Sequence, residues 1–186
     1  MKITLIRHGQ TRANIKRLYC GVTDLPLIQI GIDELRAKNY VASLSAVFVT
    51  SGLKRAAQSL EILYGKEPDV VLDNFNEMNF GDFEMMHYDQ MRTDPEYIRF
   101  ITGDASVACP NGESRAVFTE RVRRGYNELL AIGAENVVVV THGGVIATIM
   151  DWLFPNKKNF YEWQPACGEG YVLESEDKKT WNWSML

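Results

Sequence analysis

Two of the three histidines in the chain, His8 and His142, each close a short apolar run and each precede glycine. A neutral imidazole whose one nitrogen is held by a hydrogen bond presents the other bare, and can then serve as nucleophile, base or ligand. Arg7 abuts His8, and Arg55 stands a few residues beyond another apolar run. Guanidinium groups supply planar forks of donors with fixed charge, which match the oxygens of a phosphoryl group. Gly9, and Gly143 with Gly144, let an anion approach the main chain and free amide N–H groups as donors. Singly, each feature has an ordinary structural reading: a satisfied histidine at a strand end, a solvated arginine, a glycine in a turn. Together they suit a tetrahedral oxyanion, and the spacing alone leaves several anion-binding functions open.

These residues can meet only if the elements before them end at one edge. Residues 2–6, 46–50 and 137–141 are short runs rich in β-branched residues and predict strands, with 69–72 a weaker candidate. Val137, Val138, Val139 and Val140 show no polar alternation, as in a strand buried on both faces. Residues 171–174 and 181–185 predict a late edge hairpin, with Trp181 and Trp183 exposed on an edge that could pair. Ala56, Leu60 and Leu63 fall at helical spacing, as do Phe118, Val122, Gly125, Leu129 and Ile132. Residues 145–154 are apolar nearly all round, a buried helix that Pro155 stops. The order predicts an α/β fold, a three-layer α/β/α arrangement with helices on both faces of a mostly parallel sheet. In such sheets ligands bind beyond the carboxyl ends of the strands, where Arg7, His8, Arg55 and His142 fall. Residues 74–114 break the pattern and read as an insertion over the sheet, within a single domain spanning 1–186.

Composition sets the bounds. The 186 residues are 46% hydrophobic and 24% charged, enough for one domain with a core. A net charge of −4 argues against nucleic acid or an anionic membrane as partner, while a local pair of arginines can still hold a small anion. Cys20, Cys109 and Cys167 are odd in number and widely spaced, which argues against a disulfide framework or a zinc site. The first residues are charged too soon for a signal peptide, and the uncharged run 137–150 is short of a membrane span. A cytoplasmic protein is expected, and no feature specifies its oligomeric state.

Leu5-Ile6-Arg7-His8-Gly9-Gln10-Thr11 followed by Asn14 resembles the signature of the histidine phosphatase superfamily, which includes the cofactor-dependent phosphoglycerate mutases. Further blocks resemble the family in the same order: Gly21-x-x-Asp24-x-Pro26-Leu27 with Gly31, then Ser51-x-x-x-Arg55-Ala56. Glu77 to Glu84, Pro110-x-Gly112-Glu113-Ser114 and Thr141-His142-Gly143-Gly144 complete the series. The resemblance implies a phosphoglycerate mutase-like fold and a phosphomonoesterase acting on a small phosphorylated metabolite, with no metal or cofactor. His8 would carry a phosphohistidine intermediate, Arg7, Arg55 and His142 would grip the phosphoryl oxygens, and Glu77 would be the general acid. Gly9, Thr11, Asn14, Gly21 and Gly143 match positions that bind the phosphoryl group, and Cys20 and Tyr19 fall where the family has its substrate loop.

The chain departs from the family at several places. Phe83 stands for the usual tryptophan, Met85 for glycine, Ile28 for threonine or serine, and Gln10 for the more frequent glutamate. Ile28 removes a side-chain cap near the next helix, and Phe83 and Met85 are expected to reshape the leaving-group side. His87 could touch substrate, but an ordinary packing or surface role is favoured. The compact length resembles the α-ribazole phosphatase-like branch and favours phosphatase over mutase. The rivals are a phosphoglycerate mutase, which would need a bisphosphorylated primer, and a non-catalytic phosphate-binding protein, which would have no need of Glu77.

Overall fold

The computed structural model describes residues 1–186. Its first strand, β1 (Lys2–Arg7), is followed by the single-turn α1 (Arg12–Ile15) and by α2 (Gln29–Arg36). Next come β2 (Val47–Thr50), α3 (Lys54–Tyr64) and the two-residue β3 (Val70–Val71). Two 3-10 turns, Asp73–Phe75 and Gly81–Phe83, lead to the short α4 (Tyr88–Met91) and α5 (Pro95–Thr102). The long α6 (Arg115–Ala131), β4 (Asn136–Thr141) and α7 (Gly143–Leu153) follow. A 3-10 turn at Phe160–Trp163 precedes β5 (Gly170–Glu174) and β6 (Asn182–Met185).

The six strands form one sheet in the order β3-β2-β4-β1-β5-β6. The first four are mutually parallel, and β5 and β6 run antiparallel at one side. The valine strand pairs with β1 on one side and β2 on the other, which explains its lack of polar alternation: Val137 to Val140 are all buried. Because β1, β2 and β4 are parallel, their carboxyl ends deliver Arg7-His8, Ser51 and His142 to the same edge.

The strands' period of two divides the core. Ile3, Leu5, Val49, Val137 and Val139 face α6 and α7 in a cluster of 26 buried residues. Ile6, Phe48, Val138 and Val140 face α3 in a cluster of six that includes Ala56 and Leu60. Segment 74–114 packs into the larger cluster through Phe75, Met78, Phe83, Met91, Tyr97, Phe100 and Cys109. α7 is buried along most of its length and ends at Leu153, with Phe154 as its last cap before Pro155.

The late hairpin forms as expected, but its tryptophans are not a free edge. Trp181 is buried against Tyr126, and Trp183 packs between Trp163, Tyr171 and Phe154 with Lys158 over its ring. The sequence places them exposed on an edge; instead α6 covers Trp181 through Tyr126, and the segment after α7 folds back over Trp183 through Phe154 and Trp163.

Candidate active site

His8 lies one residue past β1 and is 5% exposed. Its N–H donates to the carbonyl of Thr141, which ties the loop to β4. The ring Nδ1 lies 2.7 Å from the Gly9 carbonyl, an acceptor, so the proton of a neutral imidazole sits on Nδ1 and Nε2 carries the lone pair. Burial first, then the guanidinium of Arg55 and that of Arg7, hold His8 well below the usual histidine range, against a raising contribution from the Gly9 bond. The imidazole is therefore neutral at neutral pH.

The His142 ring stands edge-on to His8 with centroids 5.2 Å apart. His142 stands at the N-cap position of α7 with no side-chain bond to the first turn, is fully buried, and its Nε2 lies 2.7 Å from the Ser51 hydroxyl. Burial, then His8, Arg55 and Arg7, keep this imidazole neutral as well. The Ser51 hydroxyl and His142 Nε2 share one hydrogen bond, and Nδ1 has no protein partner. Arg7 Nε is likewise buried and unpartnered, while Arg7 Nη1 donates to the Pro165 carbonyl at 2.8 Å.

Arg55, in the first turn of α3, is 1% exposed. Its Nη1 donates to the Thr23 carbonyl at 2.9 Å and Nη2 to the Gly21 carbonyl at 2.6 Å. That loop is itself clamped by Glu84, whose carboxylate accepts from the N–H groups of Gly21, Val22, Thr23 and Phe80 and from the Thr23 hydroxyl. The glycine is required at position 21, because a Cβ there would stand 1.6 Å from the Met78 carbonyl oxygen.

Glu77 comes from the segment between the two 3-10 turns. Its Oε2 accepts from the Gly144 N–H at 2.8 Å and its Oε1 from the Met78 N–H at 3.0 Å. A Cβ at position 144 would lie 2.3 Å from Glu77 Oε1, so glycine is what lets the carboxyl rest on the first turn of α7.

Arg7, His8, Thr11, Asn14, Cys20, Arg55, Glu77 and Gly144 line one cavity of about 850 Å³. Thr11 donates to Asn14 Oδ1 from both N–H and hydroxyl, at 2.9 and 2.8 Å, which leaves the Asn14 amide group as the free donor. Gly143, at the first position of α7, has no intrahelical acceptor for its N–H. His142 and Gly143 lie behind the cavity's lining, and Gly9 and Gly21 do not line it either: the Gly9 N–H donates to Ser59 and the Gly21 N–H to Glu84. These last two support the histidine and the arginine from behind. The Cys20 thiol is half-buried and pushed up by burial, with Arg55 opposing. His87 lies outside the cavity and caps α4, accepting from the Asp89 N–H at 3.2 Å.

Residue types and spacing did not reveal several contributors. Ser51 and Glu84 stand inside quoted blocks, but their partners are far away in sequence. The outer wall comes from Tyr19, Phe80 and Phe100, from Phe118 and Thr119 of α6, and from Phe160, Tyr161 and Gln164, a segment with no local signature. Phe83 is buried behind this wall, against Tyr97 and Phe100 at 5.4 and 6.1 Å, so it shapes the cavity through Phe100.

The adenosylcobalamin/alpha-ribazole phosphatases of Salmonella typhimurium and Escherichia coli are 34% and 35% identical over 158 and 159 residues, covering 81% of this chain and 78% and 77% of theirs. Among solved structures, the alpha-ribazole phosphatase from Shigella flexneri superposes with a TM-score of 0.85 at 27% identity, covering 100% of this chain and 96% of that one. A phosphoglycerate mutase from Thermus thermophilus superposes with a TM-score of 0.74 at 27% identity, covering 100% and 98%. Residues 3–183 match the histidine phosphatase superfamily (branch 1), and with the geometry around His8 in agreement, this chain belongs to that superfamily.

Proposed function

We propose that the chain is a phosphomonoesterase that works in two steps through a phosphohistidine on His8. The observation that carries this reading is the His8 ring, neutral and pinned through Nδ1 to the Gly9 carbonyl, so that Nε2 is the nucleophilic atom. In the first step Nε2 attacks phosphorus, the bond to the ester oxygen breaks, and Glu77 gives that oxygen a proton. In the second, water attacks phosphorus while Glu77 takes its proton, and the P–N bond breaks to release phosphate and neutral His8. Arg7, Arg55 and His142 offset the charge on the transferring group, with Asn14 and the Gly143 N–H as neutral donors.

The substrate is a small phosphorylated metabolite. The named activity of the relatives supports an alpha-ribazole phosphate as substrate, and the aromatic outer wall of Tyr19, Phe80, Phe100 and Phe118 supports a leaving group with apolar surface. We infer a cytoplasmic enzyme from the three free thiols, Cys20, Cys109 and Cys167; no helix is long and apolar enough to cross a membrane.

The test is hydrolysis of an aryl phosphate by wild type, His8→Ala and Glu77→Gln. Wild type is expected to turn over, His8→Ala to lose about 10⁴-fold or more, and Glu77→Gln to lose about 10²–10⁴-fold on an unactivated ester. Quenched wild type should carry a base-stable, acid-labile phosphoryl group that His8→Ala lacks. Folded wild type without turnover would overturn the reading. Turnover only with a bisphosphorylated primer would then indicate a mutase, and phosphate binding alone a non-catalytic binder.

A further inference from the structure

The site's acid is held from behind by a pair of side chains that touch no part of the cavity's phosphoryl end. Arg121, on α6, forms a fork on Glu113 through Nε at 2.8 Å and Nη2 at 2.7 Å. Its Nη1 donates to the carbonyls of Asn74 and Asn76 at 3.0 and 2.9 Å, and Nη2 to the carbonyl of Glu77 itself at 3.2 Å. Every N–H of the guanidinium is thus used, and three of its acceptors are main-chain oxygens of the segment that carries Glu77. Glu113 completes the frame from the other side. Its Oε2 accepts from the Asn79 N–H at 2.9 Å, and its own N–H donates to the Asn79 carbonyl at 2.8 Å. Both side chains are 16% exposed, so the pair is shielded and geometrically fixed.

We propose that Arg121, locked to Glu113, is a positioning residue that sets where the Glu77 carboxyl can reach, and so governs protonation of the leaving oxygen and not capture of the phosphoryl group. This rests on the reading of Glu77 as the general acid. The separation follows from who holds what: Arg7 is anchored on Pro165, His8 on Gly9, and Arg55 on Thr23 and Gly21. None of those anchors is a partner of Arg121 or Glu113. Loosening the frame is expected to shift the backbone beneath Glu77 while the anchors of Arg7, His8 and Arg55 stay in place. A small displacement of a proton donor is costly only when the departing oxygen needs the proton.

The experiment compares kcat/KM, which reports the first transfer, for an alkyl phosphate and for dinitrophenyl phosphate, whose leaving group departs without a proton. Arg121→Lys and Glu113→Gln are expected to lose about 30–100-fold on the alkyl ester, but roughly threefold or less on the dinitrophenyl ester. In a Glu77→Gln background the further loss from Glu113→Gln should vanish. Inhibition by inorganic phosphate should keep its wild-type constant. Equal losses on the two esters, or losses that add to that of Glu77→Gln, would overturn the proposal and leave Arg121 a stability residue. Glu113→Gln keeps the shape and an acceptor for Asn79, so it decides the matter if Arg121→Lys folds poorly. A Glu77→Gln enzyme equally impaired on both esters would instead defeat the assignment of the acid itself, whatever Arg121 does.

Discussion

A histidine that attacks phosphorus must be neutral, and both site imidazoles are kept so chiefly by burial, with the neighbouring arginines adding to it. The consequence for activity has a definite sign. Protonation of His8 would remove the lone pair on which the proposed attack depends, and because its folded pKa lies well below 6.5, that loss is expected at a pH well under that value. Nitrogen NMR of the two rings should show the neutral form persisting as the pH falls through 6.5, and a normal titration there would refute it. Stability moves the same way: below pH 6.5 the unfolded chain takes up protons that the folded one refuses, so folding weakens progressively on acidification. At this scale the sequence was legible where chemistry resides in residue type at a strand end: Arg7, His8, Arg55 and His142. It was silent on Ser51, Glu84 and Arg121, whose roles depend on partners in distant segments, main-chain groups for Arg121 and most of those for Glu84. It was half-legible at Gly9 and Gly21, which lie beside the site but lend their N–H groups to Ser59 and Glu84.

Elements show where departures from the family pattern fall. Ile28 is the N-cap of α2, with extended backbone angles and no side-chain bond to the first turn. Ile28→Thr should supply that acceptor and stabilise by about 1 kcal/mol. Met85 has φ of +62°, the left-handed region where a side chain crowds the backbone and glycine does not. Met85→Gly relieves this at some cost in unfolded-state entropy, for a net gain of about 0.5–1 kcal/mol. Denaturant melts of the two variants measure both effects, and a lowered midpoint for either would contradict its account. The strands and the buried α7 were readable because apolar periodicity is a property of one segment. The single-turn α1 is too short for periodicity to register, and the covering of Trp181 by α6 and of Trp183 by the segment after α7 depends on distant residues.

Across the whole molecule the two faces of the sheet are unequal, 26 buried residues on the α6–α7 side against six on the α3 side. Opening free energy follows buried contact, so hydrogen exchange should release the amides of α2 and α3 ahead of those of α6, α7 and β4. Equal protection of α3 and α7 would count against it. The thin layer also carries Arg55 and Ser59, so the proposed phosphoryl cradle is expected to open before the frame around Glu77 does. The sheet order has a temporal counterpart. β1 lies between β4 and β5, both made more than a hundred residues later. At about 5–20 residues per second, a strand bearing Ile3, Leu5 and Ile6 leaves the ribosome and waits on the order of ten seconds with both edges bare. During synthesis the strand that leads to His8 stays unpaired, and the edge on which the candidate site stands is complete only when β4 and β5 arrive to flank it.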